Sequence, residues 1–102
     1  MAAKSETEMI EALTDEIGKE VYIDVAKWHL YLRDAHLDKM LAEQLYPMLK
    51  DRSVSEDAVQ KVLQGVSIKI GGGKRELSLS DLLPMQSQVA LMEVLDNFQD
   101  KF

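Results

Sequence analysis

Residues 22–36, YIDVAKWHLYLRDAH, decide how this chain is read, because as a helix they are apolar on two opposed sides. At 100° per residue Val21, Val25, Trp28 and Leu32 form one stripe, with Tyr22, His29 and His36 along its edge. Ile23, Leu30 and Leu37 make a second stripe on nearly the opposite side, and only Asp24, Lys27 and Asp34 mark a polar sector. The pattern predicts a central helix from about residue 20 to residue 36, enclosed by the rest of the domain or by a partner.

Ser5 and Glu8 form a capping-box signature, and Met9, Ile10, Leu13 and Ile17 follow at helical spacing. Gly18 is the expected stop of that helix. Leu37, Leu41, Leu45 and Met48 continue as a stripe after a bend near Asp38, with Pro47 expected to kink or end the helix near Tyr46. Ser55 can cap the next helix, with Glu56 and Asp57 at its positive end, Val59, Val62 and Leu63 inward, and Gly65 at its close.

The period then changes to two. Val66, Ile68 and Ile70, and later Leu77 and Leu79, alternate with polar residues on either side of Gly71, Gly72 and Gly73. This predicts a β-hairpin over about 66–70 and 75–79. Ser80 and Asp81 open the last helix, with Pro84 in its first turn or after a separate short turn. Met85, Val89, Met92, Leu95 and Phe98 are its expected inner side, widened by Leu91 and Val94. The fold class is α+β and mainly α: a small helical domain with one hairpin before a C-terminal helix. Residues 1–102 read as a single compact domain, frayed over about 1–5, with no visible repeat or low-complexity tract.

A chain of 102 residues with 46% hydrophobic and 29% charged content suits a globular protein with one core. It has no cysteine, which excludes disulfides, thiolate metal sites and cysteine nucleophiles. Its formal charge of −6 opposes general binding to polyanions or to an anionic membrane surface. The longest uninterrupted apolar run is residues 89–92, far short of the ~20 that a spanning helix needs. The acidic start has neither a signal nor a transit character. These features predict a cytoplasmic protein with no membrane span.

No cofactor is implied. His29 and His36, seven residues apart on the expected helix, would lie about 10 Å apart by helical rise, too far to share one ion. They are the weak candidates for a histidine-based metal or cofactor site, and hydrogen-bonded histidines at the edge of the core are the simpler reading. Gly71, Gly72, Gly73, Lys74 and Arg75 lack the spacing and following helix of a phosphate-binding loop, and supply a turn with a basic tip. A helix followed by such a hairpin also resembles a winged helix, the alternative nucleic-acid-binding reading. Glu56 and Asp57 stand where base-contacting residues would be needed, so nucleic acid is not the expected partner. The serines are explained as caps, the carboxylates as solvated helix faces, and no paired acid–base set emerges, so an enzyme is not expected.

Four of the six aromatic residues fall in or just after the 22–36 stretch. Trp28 and Tyr31, with the 71–75 tip, are the candidate partner-binding residues, since interfaces favour aromatic side chains and charge complementarity. The partner would be a protein, a second copy of the chain included.

The strings VYIDVAKWHLYLRDAHLDKMLAEQLYPML and SIKIGGGKRELSLSDLLPMQ resemble a family of small uncharacterised proteins from cyanobacteria. The resemblance implies a protein of an oxygenic phototroph, an accessory factor for photosynthetic or carbon-fixing machinery, and carries no catalytic residue.

Overall fold

The computed structural model describes residues 5–25, 28–70 and 75–101. Helix α1 (Glu6–Glu20) opens on Ser5, whose Oγ accepts the Glu8 amide at 3.2 Å. Beyond it the chain turns extended at Val21, and strands β1 (Tyr22–Val25) and β2 (Trp28–Tyr31) form an antiparallel hairpin. The short helix α2 (Leu32–Ala35) and the long α3 (Asp38–Asp51) follow. Helix α4 (Glu56–Gly65) opens on Ser55 and leads into β3 (Ser67–Ile70) and β4 (Arg75–Ser78), again antiparallel. The four-residue α5 (Leu79–Leu82) and then α6 (Met85–Gln99), which begins after Pro84, complete the chain.

The mainly helical α+β class and the hairpin at 67–78 agree with the sequence. The expected central helix does not form. Residues 22–31 are a second hairpin, so Tyr22, Asp24, His29 and Tyr31 share one face while Ile23 pairs with Leu30 on the other. Val, Ile, Trp and Tyr lose side-chain freedom in a helix and suit a pleated surface, which favours the strand pair. Nor is the segment enclosed: Ile23 is buried, whereas Leu30 and Tyr31 are exposed.

The structure also reveals an internal repeat, against the expectation of none. The order helix, hairpin, four-residue helix, long helix occurs twice, in α1-β1-β2-α2-α3 and in α4-β3-β4-α5-α6. The same apolar pattern underlies both. Val21-x-Ile23-x-Val25 and Leu30-x-Leu32 match Val66-x-Ile68-x-Ile70 and Leu77-x-Leu79. Ile23 faces Leu30 in one register and Ile68 faces Leu77 in the other. Each hairpin is closed at its base by the same bond at 2.9 Å, from the Leu32 amide to the Val21 carbonyl and from the Leu79 amide to the Val66 carbonyl. Leu32 and Leu79 are fully buried. On the long helices Ala42, Leu45, Tyr46 and Leu49 enter the core at the spacing of Leu91, Val94, Leu95 and Phe98.

The two units share that core, in which α1 lies against α3 and α6. Gln99 Nε2 donates to the Leu49 carbonyl at 3.0 Å, joining the ends of the two long helices. Gly18 does not stop α1. It is buried where α1 meets the following elements, and a Cβ there would come within 2.7 Å of Asp38 Oδ2 and 3.0 Å of Arg33 Cβ. Helix α3 passes through Pro47 to Asp51, forgoing one amide hydrogen bond. Both α2 and α3 close on left-handed residues, His36 and Arg52.

Candidate docking surfaces

The first surface is the outer face of the β1–β2 hairpin. Tyr22 pairs with Tyr31 across the strands at a ring separation of 5.6 Å, and its ring meets the His29 ring edge-on at 4.8 Å. His29 Nδ1 contacts Asp24 Oδ1 on the facing strand, an exposed pair of the kind that contributes little stability. This hairpin is anchored to α6. The Tyr22 amide donates to the buried Ser87 Oγ at 3.2 Å and the Tyr22 hydroxyl to Gln86 Oε1 at 3.1 Å. Tyr31 is 43% exposed, so of the expected partner-binding residues it does present its ring to solvent.

His29 and His36, expected on one side of a helix, are on separate elements. His29 lies on β2 against Asp24, and His36 is the exposed left-handed cap of α2. The hairpin register brings Asp24, assigned above to a polar sector of the expected helix, opposite His29. Among the described residues, no group of three or more His, Asp or Glu is arranged to hold a metal ion. Arg75 is exposed at the start of β4. Gly71, Gly72, Gly73, Lys74 and the Trp28 side chain lie outside the described residues.

The second surface was missed at the sequence level. Met85 and Val89, expected on the inner side of the last helix, are 74% and 51% exposed. The expected Leu91, Val94, Leu95 and Phe98 are buried, and Ser87 takes the place of Met85 and Val89 beside them. Helix α6 is apolar on both flanks, and the stripe that holds the larger number of bulky residues is the buried one. Met85, Val89 and the half-buried Met92 form one wall of a groove of about 330 Å³ between α6 and α4. Val59 and Leu63 contribute apolar lining from α4, while Glu56, Asp57, Glu93 and Asp96 also line it. Gln60 and Gln88, which also line it, belong to one polar chain. Ser80 Oγ donates to Gln60 Oε1 at 3.0 Å, Gln60 Nε2 to Gln88 Oε1 at 2.8 Å, and Gln88 Nε2 to the Leu83 carbonyl at 3.2 Å.

These surfaces belong to a molecule with relatives. The family described as "Protein of unknown function (DUF3181)" matches over residues 10–98. The chain belongs to that family. The "Thylakoid-associated protein slr0729" of Synechocystis sp. (strain ATCC 27184 / PCC 6803 / Kazusa) is 42% identical over 97 residues, which cover 95% of this chain and 96% of that protein. The likeness to small cyanobacterial proteins of no established activity is thereby shown. No solved structure matches. Among the described residues of this family member, no helix is long and apolar enough to cross a membrane.

Proposed function

We propose that the chain is a non-enzymatic accessory protein of a cyanobacterial thylakoid, held on its cytoplasmic side by contact with a membrane-resident protein. The observation that carries the reading is the apolar surface left uncovered on the first hairpin, at Leu30 and Tyr31. The 42% identical relative named as thylakoid-associated supplies the setting. A formal charge of −6 opposes direct attraction to anionic lipid, which favours a protein as the anchor. Trp28 and Tyr31, with residues 71–74 and Arg75 at the other hairpin's end, are the proposed contacts to an acidic segment of that anchor. The nucleic-acid reading is disfavoured by the four carboxylates beside α4, the helix that would have to approach phosphate.

Sedimentation of purified protein with isolated thylakoids, with thylakoids shaved by trypsin and with liposomes of thylakoid lipid tests the proposal. Binding to intact thylakoids alone is the expected result, reduced by the Tyr31→Ser, Arg75→Glu double variant. Equal binding to protein-free liposomes, or none to intact thylakoids, overturns it.

A further inference from the structure

In the first unit of the repeat the two corresponding helices lie directly against each other. There α1, 15 residues long, lies along α3. In the second unit α4 has only 10 residues and leaves the groove between itself and α6. On α6, Met85, Val89, Met92 and Asp96 fall within about 60° of one another and extend over roughly 16 Å of helix. That is room for about three turns of another helix. Exposed methionine and valine present an adaptable apolar strip, the surface against which amphipathic helices settle.

The charge of the lining identifies what would cover it. Glu56, Asp57, Glu93 and Asp96 are exposed, and among the described residues no Lys or Arg lines the groove and none forms an ion pair with any of the four carboxylates. Symmetric self-pairing through this face would bring two such sets of carboxylates together, so a second copy is a poor occupant. We infer that the groove between α4 and α6 is a docking site for a cationic amphipathic helix of a partner protein, apolar on one side and rich in Lys or Arg on its flanks. This surface is separate from the proposed thylakoid contact at the hairpins and opposite to it in the charge it selects.

A fluorescent peptide of Leu and Lys at i, i+3, i+4 spacing serves as the probe, followed by anisotropy and by ¹³C-methyl signals of Met85 and Met92. A peptide of the same composition with its order permuted, so that no apolar face forms, is the control. The wild type is expected to bind the amphipathic peptide at least about tenfold more tightly than the permuted one and to shift both methyl signals. Val89→Ser, and separately Glu93→Gln with Asp96→Asn, each weaken binding about tenfold or more. Glu11→Gln with Asp15→Asn on α1 makes the same change in net charge and leaves affinity within about twofold. No binding, equal loss in the α1 control, or binding without movement of the Met85 and Met92 signals overturns the inference. So does a dimer in sedimentation equilibrium that Val89→Ser dissociates, since the groove would then hold a second copy. These measurements contain no thylakoid, so their failure leaves the membrane reading standing, and the reverse also holds.

Discussion

The two halves of the molecule use one apolar pattern to make the same hairpin with different connections. In the first, Ala26 and Lys27 separate the strands. In the second, four residues do so, three of them glycine. The second connection announces a turn by its chemistry and the first does not, yet both strand pairs meet with an isoleucine opposite a leucine and the same bond at the base. The hairpin is thus specified by Val-x-Ile-x-Val/Ile and Leu-x-Leu, of which Val21, Ile23, Leu32, Val66 and Leu79 are buried against the body. Turn residues refine that choice. Outside the pattern the halves diverge: tyrosines occupy the first outer face at positions where the second has Ser67 and Ser78.

The comparison can be broken most forcefully at its two equivalent leucines. Leu32→Ala and Leu79→Ala each empty a fully buried position and are expected to cost about 2–5 kcal/mol in urea unfolding. Similar losses would make the halves equal members of one core. A cost below ~1 kcal/mol at either would show that its unit is an appendage. A smaller effect is expected at Gly18, where the first unit has a helix–helix approach with no room for a side chain. Gly18→Val should lower stability by about 1–3 kcal/mol by overfilling that approach, and an unchanged melting midpoint would refute the close fit. The smallest effect has the opposite sign. A Cβ at Gly65, in the last turn of α4, meets nothing within 4 Å. Gly65→Ala should therefore raise stability by about 0.5–1 kcal/mol through helix propensity and a less entropic unfolded chain. A loss there would mean that α4 needs a glycine to end.

The same comparison explains what could be read from the sequence. The Ser5 and Ser55 caps and the second hairpin each have a local cause and were legible, whereas the short helix before Pro84 was one of two alternatives and opens on Ser78, not on Ser80 and Asp81. Residues 22–36 were not legible, because Val21, Ile23 and Val25 satisfy a period of two while Val21, Val25, Trp28 and Leu32 satisfy a period near four. Greasiness on two opposed helical sides was itself the sign of alternation, and the matching Val66-x-Ile68-x-Ile70 string would have resolved it. On α6 the sequence placed Leu91, Val94, Leu95 and Phe98 inward correctly and Met85 and Val89 wrongly, for a related reason. Met85, Val89 and Met92 are regularly spaced, and so are Leu91, Val94 and Phe98. Only the neighbours decide between them, through Ser87 receiving the Tyr22 amide and Leu95 entering the shared core. Of the proposed contacts, Tyr31 is exposed because it lies on the outer face of the hairpin, not because it borders the polar sector of a helix. The groove required knowledge of how short α4 is beside α6.

The bonds that clasp each hairpin at its neck bear on motion as well as on form. Each joins the residue just before a strand pair to the residue just after it, so its release loosens the neck while the buried leucines of the trunk stay in place, and in the first arm the Tyr22 bonds to α6 remain a second hold. Amides beyond the clasp can then exchange with solvent through an opening far cheaper than global unfolding. The molecule would carry two arms that loosen independently, each able to adjust to a bound neighbour while the body that holds them stays rigid.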